Sequence, residues 1–288
     1  MPISPVRDAF VLAGKINLHY VQWGTQGTPI ICVHGLTANA FFFQAIAEEL
    51  AQNHRVFAYD LRGRGESDRP EHGYSVPIHA ADLARLIDAL ELEQPVLFGH
   101  SLGALVALYF AAHYPGKMSK LILGDGGAPL PWTTIEGQPA WLTAAINRLG
   151  VVVPSFEEYL QRQKAAPFLG PYWNEYIDIY FQHDVLQQND GSVISRCYRE
   201  GVQEEGRNML LIQFDEQWSQ IHAPTLILRA GQGLFFADDQ LLTEAASAAL
   251  HQAIKGSQLV NFPHLNHYTL LFGVEPGPVE AMRAFIEG

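Results

Sequence analysis

The sequence has little of three features that mark large classes of proteins. Its two cysteines, Cys32 and Cys197, are too few for a disulfide framework, and their separation does not match metal-ligand spacing. Lysine and arginine number 18 against 30 acidic residues and form no cluster, so nucleic acid and anionic membranes are not expected as partners. No apolar run approaches the roughly 20 residues of a transmembrane helix, and no signal-peptide pattern opens the chain. These absences predict a soluble cytoplasmic protein without a metal site.

Segments of strand type and helix type alternate along most of the chain. Of the 288 residues, 48% are hydrophobic and 17% are charged, which is ordinary for a globular protein with a sizeable core. Residues 16–22 alternate in polarity and predict an antiparallel edge strand. A wholly apolar run at residues 29–33 predicts a buried strand, and mainly apolar runs predict further strands at residues 55–59, 96–98, 120–124, 224–231 and 258–262. The alternation predicts an α/β fold with a mostly parallel, doubly wound sheet and sites at the carboxyl ends of its strands.

The alternation stops between residues 129 and 220. Prolines, aromatic residues and helix-like stretches follow one another there without a β-branched strand core. We interpret this stretch as a helical cap inserted into a core domain made of residues 1–128 and 221–288. Most of its aromatic side chains are expected to fill the core of the cap, and Trp132 is a candidate for contact with substrate.

The stretch around Ser101 carries the clearest chemical signal. An apolar run at 96–98 leads into Gly99-x-Ser101-x-Gly103, and an alanine-rich segment of helical length follows. Glycines on both sides let the chain pack closely while Ser101 is pushed out at the tip of a strand-to-helix turn. The backbone N–H of Leu102, at the start of the helix, could then stabilise an oxyanion. The five-residue pattern alone also occurs by chance in loops, but the strand before it and the helix after it favour a nucleophile.

Further motifs follow other predicted strands. His34-Gly35 follows the run at 29–33, and Asp60-x-Arg62-Gly63-x-Gly65-x-Ser67 follows the run at 55–59. The serine turn, the inserted stretch at 129–220 and a late histidine come after these two motifs along the chain. In this combination and order, the chain resembles the α/β-hydrolase family over nearly its whole length. The resemblance implies an α/β-hydrolase fold with an inserted helical cap.

The resemblance also implies roles for individual residues. Ser101 corresponds to the nucleophile and His267 to the general base, with His264 as a rival three residues upstream. The backbone N–H groups of Leu36 and Leu102 correspond to the oxyanion hole. A second set of residues is expected to be structural rather than catalytic: His34, His100, Asp60 and Arg62.

In this family an acid completes a catalytic triad with the nucleophile and the base. The position of that acid is where the sequence departs from the family. Most members carry the acid about three residues beyond a glycine that ends the strand corresponding to residues 224–231. That position falls on Leu234 here. Asp238 in the same loop is one alternative, although Asp238-Asp239 also resembles the N-cap of the helix predicted at 241–250. The other position used in the family is the end of the strand corresponding to residues 120–124, where Asp125 lies. We favour Asp125 and keep Asp238 as the alternative.

These residues predict acyl transfer on a small-molecule, ester-like substrate. A serine at the turn argues against the family's dehalogenases and epoxide hydrolases, which use aspartate there, and no cofactor is implied. Two aromatic residues close in sequence to Leu36, Phe41 and Phe42, predict a small and rather apolar ester or lactone as substrate. Two alternatives stay open: hydrolysis of a C–C or amide bond by the same triad, and a ligand-binding receptor with little turnover.

Overall fold

An eight-stranded sheet forms the centre of the molecule in this computed structural model, which describes residues 2–288. The strands are β1 (Arg7–Ala13), β2 (Ile16–Trp23), β3 (Pro29–Val33), β4 (Arg55–Tyr59), β5 (Val96–His100), β6 (Lys120–Gly124), β7 (Val185–Gln187), β8 (Val193–Ser195), β9 (Thr225–Gln232) and β10 (Gln258–Asn266). The helices are α1 (Gln44–Leu50), α2 (Val76–Ala89), α3 (Leu102–His113), α4 (Ala140–Asn147), α5 (Phe156–Lys164), α6 (Glu175–Asp184), α7 (Arg199–Met209), α8 (Glu244–Ala253) and α9 (Gly277–Glu287).

The sheet has the order β1-β2-β4-β3-β5-β6-β9-β10. Its first two pairings, β1 with β2 and β2 with β4, are antiparallel, and the others are parallel. Buried side chains occupy every position of β3 and β5, because helices cover both faces of the parallel part. The predicted α/β fold with a mostly parallel, doubly wound sheet is confirmed.

The prediction of an edge strand at residues 16–22 is wrong. β2 lies between β1 and β4, and most of its side chains are buried. The edge strand on that side of the sheet is β1, which has no clear sequence pattern because it combines exposed apolar residues, Phe10 and Leu12, with charged ones. The alternation of polarity therefore indicates which face of β2 is apolar, but it does not indicate where β2 lies in the sheet.

The chain between β6 and β9 forms helices α4 to α7 and a small antiparallel hairpin of β7 and β8. The expectation of a stretch without strands is therefore wrong at residues 185–195, where strands of only three residues gave too short a pattern to detect. Side chains of this segment extend the two hydrophobic clusters of the core. Trp141 and Leu142 belong to one cluster, and Ile177 and Tyr180 belong to the other. No helix within residues 2–288 is both long and apolar enough to cross a membrane.

The turn between β5 and α3 depends on two glycines. A Cβ at Gly99 would overlap the carbonyl oxygen of Gly103, and a Cβ at Gly103 would overlap that of Val33. The start of α3 therefore touches the backbones of β5 and β3, a contact that alanine does not permit. Gly206 in α7 is different, since a Cβ there would meet its nearest neighbour, Ile135 Cδ1, at 3.6 Å.

We predict opposite effects of the same substitution at these two helical glycines. Gly103→Ala should lower the free energy of unfolding by about 2 kcal/mol or more, because backbone must move to admit the methyl group. Gly206→Ala should raise it by about 0.5–1 kcal/mol, the usual gain of alanine over glycine in a helix. Urea unfolding at equilibrium measures both values. Equal effects would contradict the packing described for α3.

Candidate active site

Ser101 lies between the end of β5 and the first residue of α3. Its backbone has φ 57° and ψ −120°, a conformation that non-glycine residues rarely adopt. Hydrogen bonds hold it on both sides: its N–H donates to Gly124 O at 3.0 Å, and its carbonyl accepts from Ala104 N at 2.9 Å. The turn thus directs the hydroxyl away from the sheet and into a cavity at the carboxyl edge.

His267 and Asp125 meet at the same edge of the sheet. His267 follows β10, and its Nδ1 lies 2.7 Å from Asp125 Oδ2. Asp125 follows β6 with a positive φ of 43°, and its Oδ1 accepts from Ala230 N at 3.1 Å. The carboxylate is therefore fixed by β9 on one side and orients the imidazole on the other. His267 also lines the cavity of Ser101, whereas His264 is exposed.

The alternative acid, Asp238, is in a different environment. Its side chain is exposed, and helix α8 begins only at Glu244, with Thr243 as its N-cap. The interpretation of Asp238-Asp239 as a helix cap is therefore wrong. The carboxylate of Asp239 instead closes the loop after β9 by accepting from three consecutive backbone N–H groups, those of residues 234, 235 and 236.

The cavity beside Ser101 is mainly apolar. Four residues singled out from the sequence line it: Leu36, Leu102, Phe42 and Trp132. Further lining residues were not predicted, because they come together only in three dimensions: Leu105, Leu130, Trp141, Leu142, Tyr180, Met209, Leu242 and Tyr268.

Phe41 does not fit its expected role in substrate binding. Its ring stacks on His183 at 3.4 Å between centroids and meets Trp23 edge-on at 6.2 Å. Phe42, its neighbour, faces the cavity and packs against His100. Residues 40–43 form a short 3₁₀-helix, and adjacent side chains on such a turn point in different directions.

The loop from Gly35 to Ala38, here called the oxyanion loop, packs against Ser101. A Cβ on Gly35 would lie 3.2 Å from Ser101 Cβ, so the backbone passes very close to the serine. Leu102, as the first residue of α3, has a backbone N–H without an acceptor inside the helix. Leu36 of the loop and Leu102 of the helix terminus both line the cavity.

The histidines His34 and His100 are buried and neutral. Burial lowers the pKa of His34 to about 4. Its Nδ1 donates to Gly35 O at 2.8 Å, while Nε2 accepts from Leu61 N at 3.0 Å. Burial and the neighbouring His267 also lower the pKa of His100, whose Nε2 donates to His267 O at 2.9 Å. Both rings brace loops of the site by hydrogen bonds.

Asp60 and Arg62 each hold a loop. Asp60 accepts from Ala40 N at 2.8 Å and Glu66 N at 3.0 Å, and its Oδ2 lies 2.6 Å from His19 Nδ1. Arg62 forms two hydrogen bonds with Asp82, of 2.7 and 2.9 Å, and a third with Gly73 O at 3.0 Å. These contacts fit the structural roles expected of both side chains.

Comparisons with known proteins agree with this architecture. A family described as "alpha/beta hydrolase fold" matches residues 28–274. A serine hydrolase-like protein of Danio rerio is 29% identical over 230 residues, which cover 74% of the chain and 68% of the relative. A 3-hydroxybutyrate-oligomer hydrolase of Cupriavidus necator is 34% identical over 161 residues, 54% of the chain and only 53% of the relative. Among solved structures, E-2-(acetamidomethylene)succinate hydrolase matches with a TM-score of 0.83 and 23% identity over 98% of the chain and 99% of its own.

His19 predicts a pH dependence of stability. Burial lowers its pKa, but hydrogen bonds and charges from Asp60 and Asp8 outweigh burial and raise the pKa to about 9. A histidine with a raised folded-state pKa contributes stability that is complete below pH 6.5 and is lost as the pH rises through 9. The free energy of unfolding should therefore fall by up to a few kcal/mol over this range, since each pKa unit corresponds to about 1.4 kcal/mol.

Urea unfolding of the wild type and of His19→Gln at several pH values between 6 and 9.5 tests this. The variant should lose the decline, because glutamine does not titrate. His72→Gln is the control, since that side chain is 78% exposed. A decline of equal size in wild type and His19→Gln would contradict the assignment.

Proposed function

The chain belongs to the α/β-hydrolase family, and we propose that it is a serine hydrolase that cleaves a small, neutral carboxylic ester or lactone. The observation that carries the proposal is the contact of 2.7 Å between His267 Nδ1 and Asp125 Oδ2, beside a cavity that Ser101 also lines. Nucleophile, base and acid come from three strand ends and share one edge of the sheet, as acyl transfer by a triad requires.

In the proposed mechanism the hydroxyl of Ser101 attacks the carbonyl carbon of the substrate. His267 Nε2 takes the hydroxyl proton, and Asp125 holds the ring so that Nδ1 keeps its own proton. The backbone N–H groups of Leu36 and Leu102 stabilise the tetrahedral oxyanion. His267 then gives its proton to the leaving alkoxide, and an ester of Ser101 remains. Water, activated by His267, hydrolyses that ester and restores the serine.

The cavity lining supports a neutral substrate. Within residues 2–288, the side chains that line it include no lysine, arginine, aspartate or glutamate. A carboxylate in such a site would lose its hydration without gaining an opposite charge, which costs several kcal/mol. Two tryptophans, Trp132 and Trp141, and Leu142 instead offer apolar surface to an acyl chain.

We predict that a fluorophosphonate forms a single covalent adduct, at Ser101, and that Asp125→Asn slows the reaction by roughly 100-fold or more. Asparagine cannot keep the imidazole in the tautomer that accepts the serine proton. Intact-mass spectrometry over time gives the rate, and peptide mapping gives the site.

Ser101→Ala and Asp238→Asn are the matched controls for that experiment. The first should give no adduct, and the second should react at the wild-type rate, because its side chain is exposed. An unmodified wild type would remove the hydrolase proposal and favour a binding protein on the same fold. Slowing by Asp238→Asn but not by Asp125→Asn would assign the acid to the other loop.

We predict further that kcat/KM for p-nitrophenyl hexanoate exceeds that for the mono-p-nitrophenyl ester of adipic acid by at least about 100-fold. The two acyl chains have the same length and differ by a terminal carboxylate. A penalty of a few kcal/mol corresponds to this ratio, since about 1.4 kcal/mol is tenfold. Release of p-nitrophenol measures both rates. Similar values for the two esters would contradict the neutral-substrate proposal.

A further inference from the structure

Two arginines, one fully buried and one largely buried, hold consecutive carbonyl groups of the oxyanion loop. Arg64 Nε donates to Leu36 O at 3.1 Å, and Arg148 Nη2 donates to Thr37 O at 3.0 Å. The Arg64 side chain is 0% exposed and that of Arg148 is 16% exposed. Each guanidinium is thus enclosed by protein and directed at the loop whose Leu36 N–H faces the cavity in the proposed mechanism.

Both arginines are anchored by carboxylates from the chain between β6 and β9, which we call the inserted segment. Arg64 Nη2 lies 2.8 Å from Glu205 Oε2, and Glu205, in α7, is completely buried. Arg148 Nη1 lies 2.6 Å from Asp184 Oδ2, at the last residue of α6. We call these two arrangements, Glu205–Arg64–Leu36 and Asp184–Arg148–Thr37, the loop clamps.

Further buried side chains fix each carboxylate. His79 Nε2 lies 2.5 Å from Glu205 Oε2, and the hydroxyl of Tyr159 donates to Asp184 Oδ2. Ser195 Oγ donates to Asp184 Oδ1 at 3.2 Å. Each clamp is therefore part of a network and does not depend on one flexible contact.

The energetics of buried ion pairs favour a geometric role for the clamps. Removing two charges from water costs several kcal/mol, so a buried pair adds little net stability compared with apolar side chains of similar volume. A planar guanidinium with several hydrogen bonds does, however, fix the position of every group that it contacts. An oxyanion hole needs this, because a displacement of about 1 Å costs roughly 100-fold in rate.

We propose that Arg64 and Arg148 are positioning residues for the oxyanion hole and that Glu205 and Asp184 hold them in place. This proposal rests on the proposed function, since it concerns the geometry of the same site. The inserted segment then does more than cover the substrate: its seating on the core determines where the Leu36 N–H lies. Loosening a clamp lowers the catalytic rate constant and leaves substrate affinity nearly unchanged.

The test uses Glu205→Gln and Asp184→Asn, which remove the charge and keep the shape. Each should lower kcat for a neutral p-nitrophenyl ester, and the rate of fluorophosphonate labelling, by roughly 10- to 100-fold. The effect is smaller than the roughly 100- to 1,000-fold expected for deleting an oxyanion donor outright. KM should stay within about threefold of the wild type, because the apolar cavity wall is unchanged.

Asp82→Asn is the matched control. It breaks the ion pair with Arg62, which lies two residues from Arg64 and has a side chain that is 11% exposed, but Arg62 donates to Gly73 O rather than to the oxyanion loop. Its kcat should stay within about twofold of the wild type even if unfolding becomes easier. Tyr159→Phe is a milder variant in case the charge-removing ones do not fold, and it should lower kcat several-fold.

Amide hydrogen exchange of residues 34–39 provides a readout that does not require turnover. Exchange should be faster in the clamp variants and unchanged in Asp82→Asn. Clamp variants with wild-type kcat and exchange would overturn the proposal, as would an equal loss of kcat in Asp82→Asn. If the wild type neither hydrolyses esters nor reacts with the fluorophosphonate, the proposed function fails, and exchange still decides whether the clamps hold the loop.

Discussion

The close contact between the start of α3 and the backbones of β3 and β5 is the constraint on which the site depends. Gly99 and Gly103 allow it, because any side chain at either position would occupy the space of a carbonyl oxygen. The contact holds Ser101 at a positive φ of 57°, and hydrogen bonds to Gly124 and Ala104 keep it there. Local strain of about 1–3 kcal/mol is thus maintained by packing over two strands and a helix. The same contact places Leu102, the first residue of α3, beside the cavity.

The parallel sheet explains how residues far apart in sequence share this site. Ser101, Asp125 and His267 follow β5, β6 and β10, and parallel strands end at one edge. β6 is the immediate neighbour of β5, so an acid at its end lies near the serine without a long loop. β9 contributes in another way: its Ala230 N donates to Asp125 Oδ1. In the loop after β9, Leu234 is buried at the position where most members of the family carry the acid. Under the proposed function, an aspartate after β6 therefore takes the part of the acid that most members of the family carry after β9.

The sequence was informative where one local pattern determines the structure. Apolar runs predicted the parallel strands, and glycines around Ser101 predicted a tight turn, since both depend on neighbours in the chain. The sequence misled where the environment of a residue depends on the rest of the fold. β2 is internal only because β1 pairs with its outer side. Phe41 stacks on His183, although its neighbour Phe42 faces the cavity. Cavity residues such as Met209 carry no local signal. Buried charges carry none either, because nothing in the sequence distinguishes Arg64 from an exposed arginine.

Helix α4 connects the wall of the cavity to the oxyanion loop. Trp141 and Leu142 near its start line the cavity, and Arg148, its C-cap, donates to Thr37 O. A helix of two turns transmits a shift at one end to the other as a nearly rigid body. A substrate too large for the cavity would therefore move Arg148 when it displaces Trp141, and the loop would lose an anchor. Under the proposed function, we expect such a substrate to be bound and then turned over slowly, so that selection would act on kcat rather than on affinity.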